Sequence, residues 1–414
     1  MISILKKIIG NLFHLGAIQA VNVLIQLLLV PLVISRVGIE INGKVLTALS
    51  MAGLFSILIN FTSNQTTPLV LSKKEVDASV KSNHLSEMML VRIGWLLIIS
   101  LALIVLNFFI GEFGLYLIGI IPLLIAEAIN PYVIYLSLDK LGYLNIANLI
   151  GRVLGFLAVF FLVHEPWQAP WVNAFVGAGL IIIYSSLWKQ LLRNNWIRFS
   201  SFSVSASVNW MRSHISLLAN NLIVQLQQSV FLYVLGLSNL PLLTGVYAII
   251  DKLVWGARTL LIAFSNAIYT LSIATHAMGK SEWKKFRTTI NQFLFFSLLV
   301  LGAVLILLAP QMATWLGEPS QHDLLITYLR WMAFTPLIIS LNLLNVLDLL
   351  QHKAFQLQFK IGVALLTISF VMAAIMHYLL GIDPTTYFLL PVLLLLSIET
   401  LTILFYTRAR TRFN

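Results

Sequence analysis

The stretch YAIIDKLVWGARTLLIAF, Tyr247 to Phe264, sets Asp251, Lys252 and Arg258 inside an otherwise apolar helical run. Seven residues apart, Asp251 and Arg258 share a helix face about 10 Å apart along the axis, with Trp255 between them and Lys252 turned about 100° aside. Glu127, Arg152, Arg330 and Glu399 lie in comparably apolar surroundings, and Arg36 stands near the end of another such run. An ionised side chain at a bilayer centre costs about 2.5–3.5 kcal/mol on insertion scales, so it normally meets a partner or a wet cavity. Two explanations are open: structural ion pairs, or a cation-biased cavity lined by these groups between two halves of the molecule. Glu127, Asp251 and Glu399 are the acids deepest in apolar sequence, and buried carboxyls of this kind suit proton exchange, which makes them candidates for coupling to a proton gradient.

Uncharged polar residues add two stripes. His14, Gln19, Asn22, Gln26 and Arg36 fall within an arc of about 140° on one helix, and His214, Asn221, Gln225 and Gln228 repeat the device later in the chain. Such amides either glue helices together or line a polar path. Asn22, Gln26, Asn221, Gln225 and Trp255 are the candidate cavity residues. A further polar run, NFTSNQTTP from Asn60 to Pro68, lies near the inner membrane face. Bond-breaking chemistry finds no support. The chain has no cysteine, none of its eight histidines are three or four residues apart, and no phosphate-binding glycine pattern occurs. No enzyme activity, cofactor or metal site is expected.

The elements that hold these residues follow from composition. Of 414 residues, 59% are hydrophobic and 10% charged, and mean hydropathy is +0.93, which excludes an ordinary soluble domain and points to a polytopic membrane protein. Spans of about 20 residues centre near 22, 57, 100, 125, 154, 180, 225, 259, 300, 337, 368 and 396. Nearly all lysines and arginines outside these spans, Lys73, Lys74, Lys81 and Arg92 among them, fall on one side, leaving Arg36 and Lys44 opposite. By the positive-inside rule both termini face the cytoplasm. The basic charge is thus a topology signal and a lipid contact, and no nucleic-acid partner is expected.

The chain also repeats. Leu24 to Val45 aligns with Ile223 to Tyr247, matching Gln26 with Gln225 and Gly43 with Gly245, and PLLIAEAINPYVIYLSLDK from Pro122 aligns with PLIISLNLLNVLDLLQHK from Pro336. Six helices per half give lobes 1–205 and 206–414 in the same orientation, a parallel repeat typical of transporters.

The opening GNLFHLGAIQAVNVLIQLLLVPLVISRVGIEINGKVLTALSM, Gly10 to Met51, with its proline near the end of the first helix and the RVG…NG hairpin at Arg36 to Gly43, resembles the start of Wzx-type lipid-linked oligosaccharide flippases. These form the polysaccharide-exporter branch of the multidrug/oligosaccharidyl-lipid/polysaccharide (MOP) superfamily. The resemblance implies an all-α integral membrane protein of twelve helices in two six-helix lobes, MATE/MOP-like and working by alternating access. Its cargo would be an undecaprenyl-diphosphate-linked oligosaccharide, an O-antigen or capsule repeat unit, flipped from the cytoplasmic to the periplasmic leaflet of a bacterial inner membrane. Family members use cationic cavity residues, a role that Arg36, Lys252, Arg258 and Arg330 fit. In the empty carrier Asp251 is expected to neutralise one cation, with Arg258 and Lys252 then taking the diphosphate. Implied partners are the lipid-linked glycan, membrane lipids, a proton or other ion gradient, and further polysaccharide-assembly proteins. A MOP-superfamily cation or drug antiporter, or a flippase for another envelope precursor, are the alternatives.

Overall fold

The structure, a computed structural model, describes residues 24, 25, 27–71, 77–138, 140–200, 203–317, 321–352 and 354–411. Among these there is no strand. The helices are α1 (Leu27–Val37), α2 (Ile39–Asn60), α3 (Ser63–Leu71), α4 (Ala78–Asn107), α5 (Glu112–Gly119), α6 (Ile121–Ala128), α7 (Tyr132–Ser137), α8 (Leu141–Leu162), α9 (Val172–Arg193), α10 (Val204–Leu237), α11 (Pro241–Ala277), α12 (Lys280–Leu316), α13 (His322–Met332), α14 (Thr335–Gln351), α15 (Phe355–Ile382) and α16 (Leu390–Arg410). Ten stretches of the described residues are long and apolar enough to cross a membrane. They account for all the expected centres except those near 22 and 259. The first corresponds to α1 and to residues outside those described; the second is α11, 37 residues long and interrupted by Asp251, Lys252 and Arg258. The protein is an all-α, multi-pass integral membrane protein.

Where the spans break differs from the sequence reading. The hairpin expected at Arg36 to Gly43 reduces to a turn at Gly38, whose φ of 82° is open to glycine at little cost. Helix α2 resumes at Ile39, because Asn42, Gly43 and Lys44 carry no signal strong enough to stop a helix in lipid, where unpaired backbone is expensive. Lys44, placed in an outer loop by charge, instead lies in α2 and pairs with Glu112 at 3.0 Å. The tenth span is also interrupted, at Ala333 and Phe334 between α13 and α14. Arg330 and Asp348 therefore do not share one helix face: Arg330 is exposed and Asp348 fully buried.

Packing groups the chain into two compact units, one of Lys44–Gln225 and the other of Met1–Gly43, as far as described, with Leu226–Asn414. In Lys44–Gln225 the core gathers Leu85 and Met88 of α4, Ala126 of α6, Val133 and Tyr135 of α7, Leu144 of α8, and Tyr184 and Leu187 of α9. Helices α8 and α9 approach through glycine: a Cβ on Gly155 would stand 2.7 Å from the Val176 Cα, and one on Gly179 would stand 2.4 Å from the Gly151 carbonyl oxygen. Small residues give this closeness where lipid supplies no hydrophobic drive between helices. The outer faces keep large apolar residues exposed, Leu97, Leu101 and Phe109 among them, as expected of surface that meets acyl chains.

In the other unit, Ile268 of α11 packs on Leu344 and Leu347 of α14. The repeat-matched glycines meet there. A Cβ on Gly43 would stand 2.7 Å from the Gly245 Cα, and one on Gly245 would stand 2.4 Å from the Ile39 carbonyl oxygen. Equivalent positions of a repeated sequence thus touch each other.

Candidate functional site

Two charged clusters form, one in each unit. The first sits on α11. Tyr247, Asp251 and Arg258 fall on one face by helical spacing, and all three are buried. The partner of Arg258 is Glu399 of α16, which accepts a hydrogen bond from its Nη2. Both side chains are largely shielded, at 8% and 13% exposure. Asp251, expected to neutralise one of the two cations, lies 3.9 Å from the Lys252 Nζ, too long for a hydrogen bond, and Arg258 acts on it through space. The Tyr247 hydroxyl, fully buried, finds no hydrogen-bond partner among the described residues. Trp255 is exposed at 37%. The cluster therefore holds two cations, one acid and an unused phenol on α11 and a second acid on α16, with a single tight ion pair. Such a site can exchange its internal counter-ion for an external one, because Arg258 keeps donors beyond the one given to Glu399.

The second cluster lies at the helix breaks of Lys44–Gln225. Between α2 and α3 the chain turns through Phe61 (φ 41°) and Thr62 (φ 66°), left-handed conformations that non-glycine residues rarely adopt. Arg92 of α4, 1% exposed, fastens both sides of that region. Its Nε and Nη2 donate to the Ser63 Oγ at 3.0 and 2.7 Å, Nη2 also to the Asn64 Oδ1 at 2.9 Å, and Nη1 to the Asn130 carbonyl at 2.9 Å. Asn130 sits at the second break, between α6 and α7. One guanidinium thus satisfies polar groups freed at two interruptions, as backbone in hydrocarbon requires. Glu127 accepts a hydrogen bond from the Asn60 Nδ2 and lies within electrostatic reach of Arg92, Arg152 and Tyr184.

Of the residues singled out by sequence, the structure brings together Asp251, Lys252, Arg258 and Glu399, and places Trp255 beside them in sequence with its side chain exposed. Glu127 belongs to the other unit. Asn221 donates to the Gln65 Oε1 at 3.5 Å, and the Gln225 amide packs near Gly53. Arg36 is half-buried and Arg330 exposed. Asn22 and Gln26 lie outside the described residues. Sequence reasoning missed Arg92, counted among the cytoplasmic cations because it follows the basic opening of α4, and Tyr247, which carries no charge to flag it. The polar run at Asn60 to Pro68 was the available signal for the first of these.

The fold matches solved transporters over nearly its whole length. An inward-facing multidrug resistance MATE family transporter of the MOP superfamily aligns with a TM-score of 0.73 at 13% identity, covering 95% of this chain and 94% of that one. The Vibrio cholerae MATE transporter VcmN aligns at 0.63 with 12% identity, over 98% of each chain. The eukaryotic MATE transporter AtDTX14 aligns at 0.58 with 14% identity, over 98% of this chain and 99% of that one. No family model and no curated protein matches the sequence. The fold is accordingly MATE-like.

Proposed function

We propose that this protein is a membrane transporter working by alternating access between lobes 1–205 and 206–414, and that it flips an undecaprenyl-diphosphate-linked oligosaccharide to the periplasmic leaflet of a bacterial inner membrane. The observation that carries the reading is the shielded Arg258–Glu399 pair, with Lys252 six residues earlier on the same helix. A diphosphate arriving there meets a planar fork and a point charge, and displaces a carboxylate that already shares the same donors. The MATE-like fold supports transport, and the sequence resemblance supports this cargo. Arg36 and Arg330 would serve the phosphates at other stages, Asn22, Gln26, Asn221, Gln225 and Trp255 the sugars. Glu127, Asp251 or Glu399 would couple movement to a proton or other ion gradient.

A second reading is supported by the same cluster. Asp251 and Glu399 are shielded acids that both act on Arg258, which suits a cationic cargo, and one of the solved neighbours is described as a multidrug resistance transporter. A MOP-superfamily cation or drug antiporter fits these residues no less well. Reconstitution separates the two. Liposomes with a fluorescent polyprenyl-diphosphate sugar in the inner leaflet should show protein-dependent exposure to an external quencher, reduced about tenfold or more by Arg258→Ala and only partly by Arg258→Lys. Gradient-driven uptake of an organic cation, with no movement of the lipid, would overturn the flippase and establish the antiporter.

A further inference from the structure

At the basic end of the Leu226–Asn414 bundle, three helices converge on one carboxylate outside the Arg258 cluster. Asp348 of α14 is 1% exposed; no well-aligned hydrogen bond reaches its oxygens, although the Trp283 indole acts on it. His352 Nδ1 stands 3.6 Å and Arg410 Nε 3.9 Å from it. A buried carboxylate held by contacts this long is costly. His276, in the last turn of α11, brings a second imidazole, its ring centroid 5.1 Å from that of His352 and nearly perpendicular to it.

We infer that His276, Asp348 and His352 form a binding site for a divalent transition metal of the zinc class. One ligand atom from each lies within 4.8 Å of the others. Tetrahedral zinc with nitrogen and oxygen ligands sets such atoms about 3.4 Å apart, so small imidazole rotations close the site. His352 Nδ1 is 2.9 Å from the Asp348 carbonyl oxygen, a backbone contact that helps to orient the imidazole, as outer carbonyls orient zinc histidines.

Arg410 does not occupy the carboxylate. Its Nη1 donates to the Asn345 Oδ1 at 2.9 Å, and Asn345 in turn donates to the Thr407 Oγ1 at 3.1 Å, so the guanidinium is anchored beside the site. Arg287 also acts on Asp348. A hard cation would need six or more oxygen donors, whereas two imidazoles and one carboxylate suit the imidazole-seeking metals, bound through nitrogen. The buried indole of Trp283, edge-on to His276, closes the site on the α12 side. The bound ion staples α11 to α14, and the site is independent of which cargo the transporter carries.

The test uses full-length protein purified without a polyhistidine tag and stripped by chelator. Titrated with Co²⁺, wild type should bind one equivalent with the visible absorption of tetrahedral nitrogen and oxygen ligation, and Zn²⁺ should displace it and raise the apparent Tm. His276→Gln, whose side chain is only half-buried, should keep the metal-free Tm and elution profile while losing affinity at least tenfold and losing the Zn²⁺-induced Tm rise; His352→Gln should behave alike. Sub-stoichiometric binding by wild type at micromolar metal, or undiminished uptake by the His276→Gln/His352→Gln double variant, overturns the site.

Discussion

Arg92 and Arg258 are both guanidiniums buried in membrane helices, and they are used in opposite ways. Arg92 spends its donors on three neutral oxygen-bearing residues, Ser63, Asn64 and Asn130. All three belong to the chain's own helix breaks. Arg258 gives its hydrogen bond to one carboxylate, Glu399, with Asp251, Lys252 and the unbonded Tyr247 hydroxyl beside it. A guanidinium saturated by neutral groups has nothing left to exchange, whereas one held by a single counter-ion can trade it for another anion. Burial alone therefore does not mark a functional charge. The distribution of its donors does.

The largest effect expected from this contrast falls on Arg92. Arg92→Ala strands the Asn130 carbonyl and the side chains at the α2–α3 break, and each buried polar group left unsatisfied costs about 1–3 kcal/mol. Arg92→Lys should recover little, because a point charge cannot span two breaks. Thermal unfolding of the purified proteins checks both. An Arg92→Ala protein with wild-type Tm and yield would show that the breaks hold without it.

The Arg258 side of the comparison should respond in transport more than in stability. Arg258→Ala and Glu399→Gln should each lower transport about tenfold or more while shifting the Tm much less than Arg92→Ala. The double variant decides the role of the pair, since coupled residues reveal themselves by non-additivity. If the pair is only a brace, removing both partners restores what each single change loses. If Arg258 meets the cargo, transport stays low in the double variant although the Tm recovers.

Much of the architecture was legible because crossing a bilayer needs about 20 apolar residues, and α11 remained recognisable even with three charges in it. Breaks of one or two residues were not legible. Phe61–Thr62 and Ala333–Phe334 hold no glycine or proline, while Gly38, within the expected Arg36 to Gly43 hairpin, makes only a one-residue turn; at the Phe61–Thr62 break Arg92 bonds the freed polar groups. The site was legible as a set of residues but not as partners. Helical spacing set Asp251 and Arg258 on one face, since it sees only one helix at a time, while Glu399, the hydrogen-bond partner of Arg258, stands 141 positions away. His276 and His352 escaped for the same reason: spacing rules search for neighbours three or four residues apart, and these two meet only through the packing of α11 and α14.

Asp383 sharpens the comparison from its weak end, as a charge that is saturated like Arg92 but lies in a surface turn, partly exposed. In the turn between α15 and α16 its Oδ1 accepts from the Thr385 Oγ1 at 2.6 Å and from the Thr385 and Thr386 amides at 3.0 and 3.2 Å, and its Oδ2 accepts from the Thr386 Oγ1 at 2.5 Å. These bonds, the Thr385 hydroxyl first, hold the carboxyl down at about 2 from its ordinary 3.8. A group whose folded pKa is depressed contributes stability that is present above the unfolded value and lost as pH falls through the folded one. The apparent Tm gap between wild type and Asp383→Ala should therefore be small, constant from pH 7 to about pH 4, and close only between about pH 4 and pH 2. A gap that closed already near pH 5 would mean the threonine cage does not hold the charge. A gap as large as that of Arg92→Ala would break the comparison itself, since it would make saturation rather than burial the source of the Arg92 effect.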